Sequence, residues 1–260
     1  MYKAYNLKVG FFDELNLYDY LNEGTNIFNK NSHKIKSTLD SFALKDGSLD
    51  GSKMQEDWFP QIKADVFISH SHKDENLAKC FAGWLKDCFD LDSFIDSCVW
   101  GYSNNLLKII DEEFCKNTNA PTYNYNKRNG STSHVHMMLS TALTMMLDKT
   151  ECVFFLNTPN SITTDSVISR TYSPWIYHEI AMTKLIKENI PARHSMKKES
   201  LNEQFRRKAA ELKFQYVLPV DHLIKIDVDT LLKWEQGCLF SLDSEKGDNL
   251  DDLYDISGGK

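Results

Sequence analysis

The sequence predicts an α/β protein whose parallel sheet is doubly wound, with helices on both faces. Short apolar runs of strand length recur at Ala64-Asp65-Val66-Phe67-Ile68-Ser69, Ser93-Phe94-Ile95-Asp96 and Cys152-Val153-Phe154-Phe155-Leu156. Segments with apolar residues at three- and four-residue spacing separate them. Helix-start chemistry follows as well, with Asp74 suited to an N-cap and Ser173-Pro174 pairing an N-cap serine with a first-turn proline. Strands alternating with helices imply parallel pairing covered on both sides.

Along the chain, residues 1–63 read as a helical N-terminal extension. Helical stretches are expected near Asp13 to Phe28 and Lys34 to Ala43, and the turn-rich run Asp46-Gly47-Ser48-Leu49-Asp50-Gly51-Ser52 follows them. The strand at 64–69 leads into a helix from Asp74 to Phe89, with Leu77, Phe81, Trp84, Leu85, Cys88 and Phe89 on one face. After the strand at 93–96, residues 97–103 read as a loop before an amphipathic helix from Asn105 to Phe114. The polar stretch 117–133 reads as a long surface loop inserted in the fold. Val135, Met138, Leu139, Ala142, Met145 and Met146 mark a helix from His134 to Leu147, and the strand at 152–156 is the most apolar of the set.

A loop from 157 to 172 precedes the helix that starts at Pro174 and is expected to end near Glu188. Ser200-Leu201-Asn202-Glu203 is a capping-box pattern opening an extra helix over 200–213. Tyr216 to Val220 reads as a further strand, with Pro219 marking its end or an edge. Residues 221–260 then form a C-terminal helix and an acidic tail that frays.

Composition excludes several function classes. With 30 Lys and Arg against 37 Asp and Glu among 260 residues, the formal charge is −7, and the pI is near 5.6. Such a surface is not built to neutralise phosphates, so nucleic acid is not expected as a partner. No apolar run reaches membrane-spanning length and the N-terminus lacks a secretory pattern, so the expected compartment is the cytoplasm. Six cysteines without a Cys-x-x-Cys pair fit reduced thiols. Eleven glycines include no Gly-x-Gly-x-x-Gly or Walker-type loop, so no glycine cradle for phosphate is present.

Doubly wound sheets bind ligands beyond the carboxyl ends of their strands, which directs attention to the loops after Ser69, Asp96 and Leu156. On the helix opening at Ser173, the stripe Trp175, Glu179, Met182 and Ile186 sets a carboxylate among apolar neighbours. A carboxylate in that position must be hydrogen-bonded, protonated, in use, or paired with a cation at the edge of the stripe.

Phe67-Ile68-Ser69-His70, the helix after it, Phe94-Ile95-Asp96, the strand at 152–156 and Trp175-Ile176-Tyr177-His178-Glu179-Ile180 occur in one order. That order resembles a Toll/interleukin-1 receptor (TIR) domain over 64–220, a flavodoxin-like fold, with the 117–133 loop and the 200–213 helix as insertions. Trp175 to Glu179 is similar to the Trp-x-x-x-Glu helix of the enzymatic branch, found in plant immune receptors, an animal axon-degeneration NADase and bacterial antiphage proteins. The resemblance implies an NAD+ nucleosidase, with NAD+ as substrate and no resident cofactor or metal. It also implies activation by self-association through TIR–TIR contacts, with an activating or effector protein as a further partner, in bacterial antiviral defence.

By the same resemblance Glu179 is the catalytic carboxylate. Nicotinamide leaves a cationic glycosidic nitrogen as a neutral molecule, so no general acid is needed. One carboxylate suffices to stabilise the oxocarbenium-like ribose. The loop His70-Ser71-His72-Lys73-Asp74 matches the family's first substrate loop, so Ser69, His70 and Ser71 are expected to contact ribose and phosphate. Trp100 and Tyr102 match the loop after the second strand, where a ring could stack on a base. Trp175 lines the pocket or belongs to the core, and Asp96 reads as a strand-end cap or structural acceptor.

Two readings from other classes compete. His70, His72 and Asp74 form a His-x-His-x-Asp pattern after a strand, suited to zinc. Glu75 stands at the sixth position, where the metallo-β-lactamase signature that this pattern resembles has a histidine, and no glycines follow. His134 and His136 diverge by about 200 degrees on a helix and do not chelate one ion easily. The other competitor is a non-catalytic TIR module that only assembles with partners. Cys98 lies near the rim, but no sequence feature supplies it with a base.

Overall fold

The computed structural model describes residues 1–8, 16–31, 39–118, 120–162, 170–191, 193, 216–239 and 246–258. In chain order its elements are β1 (Lys3–Lys8), α1 (Leu21–Asn31), α2 (Gly51–Trp58), β2 (Val66–Ser69), α3 (Glu75–Phe89), β3 (Ser93–Ile95), α4 (Ser97–Ile110), α5 (Tyr125–Lys149) and β4 (Cys152–Asn157). They continue with β5 (Arg170–Thr171), α6 (Pro174–Leu185), β6 (Tyr216–Val217), β7 (Ile224–Ile226), α7 (Val228–Leu239) and α8 (Lys246–Ile256).

The main sheet runs β3-β2-β4-β1-β7, and every neighbouring pair is parallel. Helices flank it, so the expected parallel α/β architecture is present and is consistent with a flavodoxin-like fold. One strand comes from an unexpected place. β1, from the segment expected to be a helical extension, lies inside the sheet between β4 and β7. Without it the remaining strands follow the start of the flavodoxin-like 2-1-3-4-5 order; β1 fills the fourth position from the N-terminus. Its pattern is hard to read because two lysines bound it and Asn6 interrupts it. Asn6 is buried nonetheless, and Asn157 Nδ2 donates to its Oδ1 at 2.9 Å, which satisfies it in place of water.

The pleat sorts each strand onto two cores. Val153 and Phe155 of β4 join Ala4, Phe67 and Phe94 beneath α2, α4, α5 and α6. Cys152, Phe154 and Leu156 join Tyr5, Leu7, Val66 and Ile68 beneath α3, α7 and α8. A strand buried on both faces reads as a continuous apolar run, which is why β2 and β4 were recognisable. On the second face α1 and the 3-10 turn Leu17–Tyr20 before it press closely on α3: a Cβ on Gly24 would stand 1.7 Å from the Lys79 carbonyl oxygen, and one on Gly83 would stand 2.3 Å from that of Tyr20.

Several helix boundaries differ from expectation. α4 begins at Ser97, so residues 97–103 are helical rather than a loop, and the helix passes at Asp111 into a single π-turn ending at Cys115. α5 begins at Tyr125, which shortens the expected 117–133 insertion. Asn124 caps it by accepting from the Lys127 N–H. The polar first turns of α5 face solvent but are anchored, since Arg128 Nε and Ser131 Oγ both donate to Asp111 at 2.8 and 2.9 Å.

The C-terminal half departs in similar ways. Tyr216–Val217 does not join the main sheet; it pairs antiparallel with Arg170–Thr171, and the edge strand is Ile224–Ile226. The acidic end is helical over Lys246–Ile256 and buries Leu250, Leu253 and Tyr254. The expected helix over 200–213 lies outside the described residues. No helix of the described residues is long and apolar enough to cross a membrane.

Candidate functional site

The strand order reverses at β2: the chain steps from β2 out to β3, then returns past it to β4. The crevice at such a reversal opens at the carboxyl ends of the strands. Register puts Ser69 at the end of β2 beside Phe155 of β4, and Asp96 one residue past the Ile68–Ile95 pair on β3. The α6 helix crosses this rim. Ser173 caps it as expected, accepting from the Ile176 N–H at 3.3 Å, with Pro174 in the first turn.

That cap fixes the phase of α6 so that Glu179 points inward. Ser69 Oγ donates to Glu179 Oε2 at 2.6 Å, and His70 Nδ1 stands 2.6 Å from Asp96 Oδ1. All four residues are fully buried. The structure therefore brings Ser69, His70, Asp96 and Glu179 together.

Burial dominates the electrostatics. It pushes the Glu179 carboxyl well above its ordinary value, and the nearby Asp96 charge pushes it further, against the Ser69 hydrogen bond. Asp96 is likewise raised well above the usual carboxylate range by burial, despite opposing hydrogen bonds from Glu179 and from the His70 and Ser97 backbone. The His70 imidazole is lowered to about 4 by burial, which outweighs the pull of Glu179, Glu75 and Asp74. Burial thus favours the uncharged forms of these groups, and with a value of about 4 the His70 imidazole is neutral at physiological pH.

A second polar cluster, unforeseen from sequence, closes the neighbouring crevice. The Asp74 carboxylate does not cap α3 with its side chain; it accepts from Thr158 Oγ1 at 2.5 Å and Asn160 Nδ2 at 2.6 Å. Ser161 Oγ donates to the Leu156 carbonyl at 3.0 Å, so the end of β4 is tied to the start of α3. The only sequence signal was the density of short polar residues in Asn157-Thr158-Pro159-Asn160-Ser161 directly after an apolar strand.

The remaining expected residues fall elsewhere. Ser71 precedes a short 3-10 turn at His72–Asp74 and is half-buried. Trp100 and Tyr102 lie on α4 and not on a rim loop; Tyr102 packs on the core beneath that face. Trp175 is half-buried against the same core, its ring edge-on to His136 at 5.5 Å between centroids. His70 and Asp74 engage different partners and His72 is exposed, so the His-x-His-x-Asp residues do not converge. Among the described residues no three His, Cys, Asp or Glu side chains are grouped to hold a metal ion. Cys98 is buried, with its Sγ 3.8 Å from the Phe28 carbonyl. No protein-family model, curated protein or solved structure matches the chain.

Proposed function

We propose that the protein is a TIR-like NAD+ nucleosidase that cleaves the nicotinamide–ribose bond, with Glu179 as the catalytic carboxylate. The observation that carries this reading is the inward-facing Glu179 at the reversal point of the sheet, hydrogen-bonded to Ser69 across the crevice. A buried carboxylate suits a substrate that brings its own leaving-group charge. The pyridinium nitrogen departs as neutral nicotinamide, and the positive charge moves to the ribose, where an ionised Glu179 stabilises it. Ser69 orients that carboxylate, and His70 and Ser71 stand at the loop that would meet ribose and phosphate.

The product is ADP-ribose or a cyclic or conjugated form of it, depending on which nucleophile reaches the ribose after nicotinamide leaves. Self-association as the activating step, a cytoplasmic setting and a role in antiviral defence follow from the TIR resemblance. Complete burial of Glu179 favours a second reading, a TIR-type module that docks partners without turnover. Chromatography of NAD+ incubated with concentrated wild-type protein and with Glu179→Gln separates the two. Nicotinamide release by the wild type alone supports the enzyme; intact NAD+ in both leaves the docking module.

A further inference from the structure

The geometry points to Asp96 as a positioning residue that shares one proton with Glu179, so that the pair ionises fully only when a cationic N-ribosyl base occupies the site. Glu179 Oε2 has the Ser69 hydroxyl, but no N–H or hydroxyl of the described residues reaches Oε1, which is buried. The Glu179 carboxyl interacts with that of Asp96, whose two oxygens are likewise buried without a well-aligned hydrogen-bond donor. Two carboxyl groups hydrogen-bond to each other only when one carries a proton, since an ionised carboxylate is an acceptor alone. A shared proton thus satisfies an oxygen that would otherwise be enclosed without a donor.

The surroundings reinforce this state. Among the described residues, the titratable groups that act on the pair are His70, just past β2, on Glu179 and Glu75 at the start of α3 on Asp96, while Asp74 acts on His70. No lysine or arginine among the described residues forms an ion pair with Asp96 or Glu179. Among the described residues the resting pair has no fixed cation, and a ligand with a positive charge on its base supplies one. On binding, the shared proton leaves to solvent and both carboxylates become ionised; no substrate bond changes in this step. The site thereby prefers a ribosyl pyridinium over its reduced, uncharged dihydro form, which deepens the nucleosidase reading and depends on it for the catalytic consequence.

Two measurements test this. Infrared difference spectra of the ligand-free protein at neutral pH should show the C=O stretch of a protonated buried carboxyl, absent from Asp96→Asn. Its absence from the wild type overturns the inference, whatever the activity. Calorimetry in buffers of different ionisation enthalpy should show up to one proton released when carba-NAD+, an uncleavable pyridinium analogue, binds, and none with its dihydro form. In Asp96→Asn the amide donates to Glu179, so proton release should vanish and the acid limb of the nicotinamide-release profile should move to lower pH. Carba-NAD+ binding without proton release overturns the proton-sharing step while leaving the nucleosidase reading intact. A protonated-carboxyl band together with failure to bind carba-NAD+ or to release nicotinamide overturns the nucleosidase reading and the ligand preference with it.

Discussion

Ser69 Oγ donates a 2.6 Å hydrogen bond to Glu179 Oε2 across a sequence separation of 110 residues, and both side chains are fully buried. The bond ties β2 to α6 and favours the ionised form of the carboxylate. Ser69→Ala removes the donor and leaves the acceptor enclosed, so unfolding in urea should show a loss of about 1–3 kcal/mol. Nicotinamide release should fall about tenfold for each unit by which Glu179 becomes harder to ionise. An Ala variant with unchanged stability and turnover would remove Ser69 from the site.

Opposite stability slopes are expected from His70 and Glu179. Folding raises the proton affinity of Glu179, through burial first and the Asp96 charge second. Its contribution is therefore complete below the unfolded carboxyl value of about 4.3 and is lost as pH rises toward the folded value, at about 1.4 kcal/mol per pH unit. His70 is shifted the other way, to about 4, by burial. Its contribution is complete above the unfolded value of about 6.5 and is lost as pH falls from there toward 4, on the order of 3 kcal/mol in all. Between about pH 4.3 and 6.5 the contributions of these two groups oppose each other. Glu179→Gln removes the Glu179 slope and leaves those of His70 and of the buried Asp96, so it should gain stability with rising pH relative to the wild type. Parallel urea midpoints for the two proteins across that window would show that Glu179 is not raised.

The α1–α3 contact depends on two glycines: a Cβ on Gly24 would collide with the Lys79 carbonyl of α3, and one on Gly83 with the Tyr20 carbonyl just before α1 and the Gly24 nitrogen within it. Gly24→Ala and Gly83→Ala should each lower stability by about 3 kcal/mol, read from the thermal midpoint. Gly130, within α5, has no atom within 4 Å of its would-be Cβ. Gly130→Ala should raise stability by about 1 kcal/mol through helix propensity alone. Equal effects at Gly24 and Gly130 would contradict the close packing.

What the sequence revealed follows from where burial is two-sided or caps are explicit. Phe67-Ile68-Ser69 and Cys152 to Leu156 are strands buried on both faces, and Ser173-Pro174 sets the phase that turns Glu179 inward. Ser69, His70 and Glu179 were legible as a group through the resemblance of that strand and helix order to a TIR domain. Asp96 was legible only as a strand-end residue, because its meeting with His70 depends on β2–β3 register, a tertiary fact. The start of α5 was hidden by polar residues that form a solvent-facing helix once Asn124 caps it and Asp111 gathers Arg128 and Ser131. β1 was hidden by its bounding lysines and by Asn6, whose burial makes sense only with Asn157 beside it.

β1 also makes the N-terminus a requirement for folding rather than an accessory to it. Lys3–Lys8 pairs with β4 along its whole length and with β7 through Tyr5, Asn6 and Leu7, while the Met1 ammonium donates to the Asp148 carbonyl at 2.6 Å. Removing residues 1–8 strips both neighbours of their partner inside the sheet, withdraws Tyr5 and Leu7 from the second core, and leaves Asn157 without the Asn6 amide. Unpaired backbone in a buried sheet costs more than the truncated chain can recover elsewhere. A chain beginning at residue 9, and equally a fragment spanning 64–220, should lack a cooperative thermal transition by circular dichroism, whereas the full chain has one. A cooperative transition in the 64–220 fragment would show that this segment folds without β1.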